Sequence, residues 1–359
     1  MIESGHMFEH GLPVSDGLGT ELIREAYRRC IPLGASVELT LRCNIRCVHC
    51  YNFDRRVPAP RHADGMQYED WIRVFRELRE EGTLYLSLTG GEAMVHPRFW
   101  DLLAEACALN FAVALLSNGT LLTAEACDRL AAHDRLLGVS ISVYGATPAI
   151  HDAITGVRGS WERTMRGIDR LQERGVYVRM KFPLMKGNAA ETQEMIELAA
   201  RRGLTYGIDT TITGRYDGTD GSLATRLDIP RLKELYRGPL RPHLSRRPAD
   251  PTDDEFKCNC ARSNCGIFSS GDVSPCIAVP LAAGNVRRRS FREIWRTSPL
   301  FRRIRELRVA DFPSCAPCEL KSWCRRSPGP PSALHGDYTG IDPWVCEEAG
   351  AIREVLEEA

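Results

Sequence analysis

Three cysteines crowd one short segment, LRCNIRCVHCY, where Cys43, Cys47 and Cys50 are spaced C-x3-C-x2-C and Tyr51 follows the last directly. A structural zinc ion takes four protein donors, usually in pairs separated by two to four residues. The nearest fourth donor, His49, adjoins Cys50, and a tetrahedral knuckle accommodates neighbouring ligands poorly. A four-iron cluster takes one donor per iron, so three thiolates leave one iron open to an outside ligand. An open position marks a reactive site rather than a structural one.

A second group of thiols lies near the other end of the chain. Residues 258 to 276 read CNCARSNCGIFSSGDVSPC, and Cys315, Cys318 and Cys324 follow in C-x2-C-x5-C order before Cys346. This stretch has little apolar periodicity of its own, and small modules of that kind are held together by iron–sulfur or zinc centres. The fourteen cysteines do not form a disulfide framework. No run of the 359 residues has the length and apolarity of a bilayer span, and MIESGHMFEHGLPVSD lacks the order of a signal peptide. A cytoplasmic location follows, where thiols stay reduced. Cys107 and Cys127 fall in helical patterns and read as small buried hydrophobes. Lys+Arg and Asp+Glu are both 47, so no net field recruits nucleic acid or an acidic membrane.

Elements that position the first thiol loop are legible between residues 36 and 213. Six β-rich runs, SVELT (36–40), LYLSLT (84–89), AVALLSN (112–118), LGVSISVY (137–144), VYVRMKFPLM (176–185) and YGIDTTIT (206–213), alternate with amphipathic helical patterns. Six β/α units are fewer than the eight of a closed barrel, so the sheet is expected to be open and curved, with ligands at the carboxyl ends of its strands. The chain divides into an N-terminal extension (1–35), the β/α core (36–225), a Pro- and charge-rich linker (226–257), the Cys-rich segment (258–350) and a helix end (351–359).

The C-x3-C-x2-C loop after the first strand resembles the defining motif of the radical SAM superfamily. The resemblance implies an α/β fold, a partial (β/α)6 barrel of the TIM type, with Cys43, Cys47 and Cys50 on a [4Fe–4S] cluster and Tyr51 beside the cofactor. S-adenosylmethionine would chelate the open iron, and one-electron cleavage would yield a 5′-deoxyadenosyl radical that abstracts hydrogen from substrate. TGGEAM after the second strand is similar to the family's glycine motif. It implies that Gly90 and Gly91 bring backbone close to the methionine ammonium while Glu92 supplies counter-charge. Ser117 and Asn118 of LSNGT and Ser142 of SISVYG end strands three and four on the same side, and Ser142 is a ribose contact by resemblance. Arg158, in HDAITGVRGSWERT, is the candidate partner of the cofactor carboxylate. Arg179 and Lys181 alternate with apolar residues on strand five, so Lys181 is a candidate for the active site, and Asp209, Asp217, Asp220 and Cys127 are further candidates for base or hydrogen donor.

The Cys-rich segment resembles the SPASM domain, which carries one or two auxiliary [4Fe–4S] clusters. Gly271 to Cys276 fits its G-x4-C element, and Cys315, Cys318, Cys324 and Cys346 fit a complete second set. One departure matters: three residues beyond Cys324, where the pattern expects another thiol, the chain reads Arg325, Arg326, Ser327, Pro328. The first auxiliary cluster would then use Cys258, Cys260, Cys265 and Cys276, or keep an open iron. The resemblance implies an oxidoreductase of natural product biosynthesis that modifies a ribosomal peptide, with a flavodoxin- or ferredoxin-type reductant and with auxiliary clusters relaying electrons. Dehydrogenation or epimerisation of a carbohydrate or aminocyclitol, and tailoring of a tetrapyrrole, are the alternatives. GDYTGIDPWVC resembles the closing segment of haem-pathway members. A non-catalytic iron–sulfur or zinc scaffold is the reading of another class.

Overall fold

A computed structural model describes residues 18–58, 65–245 and 258–358. Helix α1 (Leu18–Arg29) leads into β1 (Gly34–Glu38), and the chain then repeats strand and helix: α2 (Tyr68–Glu80), β2 (Tyr85–Thr89), α3 (Phe99–Ala108), β3 (Ala112–Ser117), α4 (Ala124–Ala131) and β4 (Leu136–Ser142). Helices α5 (Pro148–Thr155) and α6 (Ser160–Glu173) precede β5 (Val178–Pro183), and α7 (Thr192–Arg201) precedes β6 (Thr205–Asp209). All six expected strands are present, shifted by a few residues. The α5 helix, PAIHDAIT, was hidden from periodicity because it is short and starts on a proline, which suits a first turn.

These six strands pair in parallel in the order β6-β5-β4-β3-β2-β1. Alternate residues of each strand take opposite faces. Val37, Leu88, Leu115, Ile141 and Met180 point into the core shared with Trp71, Phe75, Leu102 and Ile168 of the helices. The opposite face carries Ser36, Glu38, Ser87, Thr89, Ser140 and Arg179, all buried, with half-buried Ser142 and Lys181. A sheet greasy toward its helices and polar on its other side is built to hold a polar guest.

The Cys-rich segment does not start a separate sheet. Strand β7 (Asn264–Ile267) pairs in parallel with the free side of β1, Ala35 opposite Cys265, and continues through antiparallel β8 (Asp272–Ser274) and β9 (Gly284–Asn285). One sheet of nine strands therefore crosses the boundary drawn from sequence, and β1 becomes an interior strand. Within the stretch expected to be a linker lies the short helix α8 (Ile229–Arg237), and residues 246–257 lie outside the described residues. Helices α9 (Phe291–Thr297), α10 (Pro299–Glu306), α11 (Gly329–His335) and α12 (Pro343–Glu357) complete the chain. Residues 351–357 of the expected helix end are the last part of α12, which begins inside the Cys-rich segment.

Polar contacts lock α12 to the β/α core. Glu348, buried, accepts hydrogen bonds of 2.6 Å from Thr210 Oγ1 and from Tyr236 Oη on α8. Arg226 meets the Asp342 carboxylate with two nitrogens, Nη1 to Oδ1 at 3.0 Å and Nη2 to Oδ2. Asp342 also caps α12 through Trp344 N. Their side chains are 10% and 3% exposed, so removing one partner strands the other charge away from water. Asp342→Ala is expected to lower unfolding free energy by about 3 kcal/mol, read as a drop in denaturant midpoint, with Asp342→Asn losing less.

Candidate active site

The loop bearing Cys43, Cys47 and Cys50 leaves the carboxyl end of β1 and is held from two sides by backbone. Gly91 N donates to Thr40 O at 2.7 Å and Glu92 N to Arg42 O at 2.9 Å. On the other flank Arg46 N donates to Thr155 O at 2.7 Å and Val48 N to Ile154 O at 3.0 Å, both at the end of α5. Gly91 is needed for the first contact, because a Cβ there would lie 2.4 Å from Arg42 O and 2.6 Å from Leu41 O. The glycine motif thus works as a backbone dock for the thiol loop.

The three thiols lie close enough to act on one another electrostatically. Burial pushes the Cys47 thiol up most, with Cys50 and Cys43 adding to it, and Cys43 is raised chiefly by burial. A neighbouring cation answers this cost: Arg55 Nε donates to Cys50 Sγ at 3.0 Å and Nη1 to Leu41 O at 2.5 Å. Asn118 Nδ2 lies 3.8 Å from Cys43 Sγ and donates to Asn44 Oδ1 at 2.9 Å. His49 is turned away from a ligand's task. It packs edge-on against Tyr144 at 4.9 Å, and burial lowers its pKa to about 4.

These residues fit an anionic cluster better than one metal ion. Among the described residues no three His, Cys, Asp or Glu side chains converge tightly enough for a single ion, as zinc requires. A cluster spreads its ligands over separate irons. Three thiols, a guanidinium and a side-chain amide around them match that wider demand.

Glu92 is engaged within the protein itself. It is 1% exposed, and its carboxylate accepts from Ser117 Oγ at 3.1 Å, Asn118 N at 2.8 Å and Met94 N at 3.3 Å. It therefore ties the end of β3 to the glycine turn and, through Asn118, to the thiol loop. Burial still raises it to about 6. Ser117 is absorbed in the same contact. Ser142 stands opposite Lys181 in the β4–β5 register. Arg158 is exposed in the turn between α5 and α6, two residues beyond Gly156, which packs on Arg46.

The acid–base candidates are dispersed. Asp209 is exposed at the end of β6, where Oδ1 accepts from Thr211 N, and Asp217 is exposed and accepts from Thr219 N and Oγ1 in its own turn. Asp220 is exposed as well. Cys127 lies in the helix-side core, away from the polar face of the sheet.

Three residues that matter to the site were passed over. Arg55 carries its signal in its position, five residues past Cys50. Glu38 is a lone charge within an apolar strand and is 2% exposed, accepting from Ser269 N at 3.3 Å and Oγ at 3.0 Å in the β7–β8 turn. Tyr216 donates to Ile277 O at 3.0 Å and meets the Tyr51 ring at 5.0 Å and the Phe268 ring at 6.0 Å. Tyr51 thus joins the first thiol loop to the Cys-rich segment. No short motif announces a contact between residues 165 positions apart.

In that segment Cys258, Cys260 and Cys276 meet, with Cys258 hydrogen-bonded to Cys260 and Cys260 to Cys276. Cys265 is not brought into line with them. Asn264 directs its side chain to Cys276 Sγ at 3.8 Å, whereas the next residue of β7 points to the opposite face, with Cys265 Sγ 3.9 Å from Gly34 O. Cys346, on α12, lies near Cys315 and Cys318, whose charges raise it after burial does.

A parallel β/α sheet whose first strand delivers three thiols to its carboxyl end, extended by a thiol-rich hairpin, defines a class of iron–sulfur enzymes that use S-adenosylmethionine. The family model of the radical SAM superfamily matches residues 37–202, and that of the SPASM iron–sulfur cluster-binding domain matches residues 258–319. The mycofactocin maturase MftC of Mycobacterium tuberculosis is 31% identical over 315 residues, 82% of this chain and 77% of its own. The AdoMet-dependent heme synthase of Methanosarcina barkeri is 29% identical over 346 residues, 87% of this chain and 96% of its own. Among solved structures, Streptococcus suis SuiB bound to its precursor peptide SuiA superposes with a TM-score of 0.62 at 18% identity, covering 83% of this chain and 74% of SuiB. The chain belongs to the radical SAM superfamily and carries a SPASM domain. It is an S-adenosylmethionine-dependent enzyme, with a [4Fe–4S] cluster in the first domain and auxiliary iron–sulfur clusters in the second.

The Glu38 carboxyl is raised from 4.5 to about 7, chiefly by burial. Below pH 4.5 the folded and unfolded chains both hold its proton. Between 4.5 and 7 only the folded chain keeps it, so stability falls with rising pH, by at most about 3 kcal/mol at ~1.4 kcal/mol per unit, and levels off above 7. Glu38→Gln removes this slope. Anaerobic guanidinium unfolding at pH 5 and pH 8 should therefore show the variant gaining on the parent at the higher pH.

Proposed function

We propose that the protein is an oxidoreductase of peptide natural product biosynthesis, in which Cys43, Cys47 and Cys50 hold the reactive cluster. The observation that carries the substrate class is the polar face of the sheet, lined by Ser36, Ser87, Thr89, Ser140, Ser142, Arg179 and Lys181. A peptide backbone needs hydrogen-bond partners wherever it is taken out of water, and this face supplies them. The relationship to a maturase at 31% identity supports the same reading, as does a fold neighbour crystallised with its precursor peptide.

Within this reading the chain's own residues divide the work. The bound cofactors supply one-electron cleavage of a sulfonium and hydrogen-atom abstraction from the substrate. Arg55 offsets thiolate charge at Cys50, Asn118 steadies Cys43, and the Gly90–Gly91 backbone fixes the loop. Tyr51, Ser142 and Arg158 would hold the nucleoside and amino acid parts of the cofactor, and Lys181 would meet the substrate. Glu92 and Ser117 act from behind, as positioning residues. Cys315, Cys318, Cys324 and Cys346 hold one auxiliary cluster. A flavodoxin- or ferredoxin-type reductant in the cytoplasm delivers the electron, and domains of about residues 36–225 and 258–350 share the labour.

A second reading, tailoring of a tetrapyrrole, draws on the match to nearly the whole length of a heme synthase. Anaerobic assays separate the two. The reconstituted enzyme is expected to form 5′-deoxyadenosine slowly alone and at least tenfold faster with a precursor peptide encoded beside its gene. Faster turnover with a tetrapyrrole and none with peptide would select the second reading. Cys47→Ala should abolish 5′-deoxyadenosine and remove about four irons per chain.

A further inference from the structure

The first auxiliary cluster has three thiols in place, Cys258, Cys260 and Cys276, and two reasons to lack a fourth. No cysteine stands at Ser327 or Pro328, and Cys265 projects from the opposite face of β7 toward Gly34 O. The segment without the cysteine nevertheless runs beside this thiol group. Gly329 packs so close to Ala278, two residues past Cys276, that a Cβ would lie 2.7 Å from the Ala278 carbonyl.

A phenol lies beside two of these thiols. Tyr338 is 6% exposed, and its hydroxyl end lies beside Cys258 and Cys260. Its backbone is fixed by the stretch that would have carried the missing thiol: Arg326 Nη2 donates to Tyr338 O at 2.8 Å and to Gly340 O at 2.9 Å. The Arg326 guanidinium in turn sits over the Phe312 ring at 4.6 Å. Asp337 Oδ1 accepts from Thr339 N and Oγ1, each at 2.8 Å, which closes the turn on which Tyr338 stands. The backbone that carries the phenol is therefore fixed by the stretch that lacks the cysteine.

We propose that Tyr338 is the fourth ligand of the first auxiliary cluster, its phenolate oxygen taking the iron that Cys258, Cys260 and Cys276 leave open. This rests on the SPASM domain holding a cluster at those three thiols. Ligation exchanges the phenol O–H for an O–Fe bond and releases the proton to solvent, with no change in electron count. Phenolate is an established anionic donor to iron. It closes the site against substrate, so this cluster handles electrons and does not bind substrate through an open iron.

The test uses the anaerobically reconstituted full-length enzyme, with Tyr338→Phe, Tyr338→Cys and Cys265→Ala beside the parent. Resonance Raman spectra excited in the visible should contain phenolate ring modes that shift when the protein is made with ring-deuterated tyrosine. Tyr338→Phe, which keeps the ring's packing, should lose those modes and about one iron per chain, with a three-iron EPR signal after mild oxidation. Tyr338→Cys should lose the modes, retain full iron and give the EPR spectrum of an all-thiolate cluster. Cys265→Ala should leave iron and spectra unchanged. Spectra and iron identical in the parent and Tyr338→Phe would overturn the proposal, as would loss of iron in Cys265→Ala. A parent with only about four irons per chain, still forming 5′-deoxyadenosine, would overturn the auxiliary-cluster reading along with it.

Discussion

The site depends on one close approach between two backbones. Gly90 and Gly91, just past β2, lie against Thr40, Leu41 and Arg42, just past β1, at a distance that no side chain at Gly91 permits. The contact extends the β1–β2 pairing beyond the sheet proper, so the thiol loop leaves from a rigid edge. A loop of three thiolates is electrostatically self-repelling, and its shape cannot come from its own side chains. It comes from backbone hydrogen bonds on both flanks, from β2 on one side and α5 on the other.

Charge is then managed by burial and by placement. Arg55 stands at Cys50, and Asn118 turns its amide toward Cys43. Glu92, in the same neighbourhood, would work against an anionic cluster if it were free to face it. Its oxygens are instead occupied by Ser117, Asn118 and Met94. The same carboxylate that sequence patterning offers as a cofactor contact also serves as the brace that aims Asn118. Glu38 follows a similar logic at the other side of β1, where Ser269 holds it and so pins the hairpin turn of the SPASM domain to the core strand.

How much of this was legible in the sequence follows from what local pattern can encode. The strands were, because alternation of apolar residues against Ser, Arg and Lys is a local signal with a fixed period. The thiol loop was, because its ligands lie within one short segment. The β1–β7 pairing was not: Ala35 and Cys265 are neighbours only because the Cys-rich segment returns to the free side of β1, and nothing near either residue says so. Cys265 meets the same limit. Four thiols close in sequence look like one ligand set, yet adjacent strand positions face opposite ways, and Asn264 occupies the side toward Cys276.

The shared sheet gives the two cluster-bearing parts a fixed relation. In a chain with a flexible linker between domains, the distance between clusters would vary with every fluctuation of the linker. Here the two parts are joined by a strand pair, by Glu38 on Ser269 and by the Tyr51–Tyr216–Phe268 ring contacts. Substrate on the polar face of the sheet would lie between thiols that leave an iron open and thiols that, with Tyr338, leave none. That asymmetry assigns the two ends different work: an open iron binds and activates, and a fully ligated cluster can only take or give an electron.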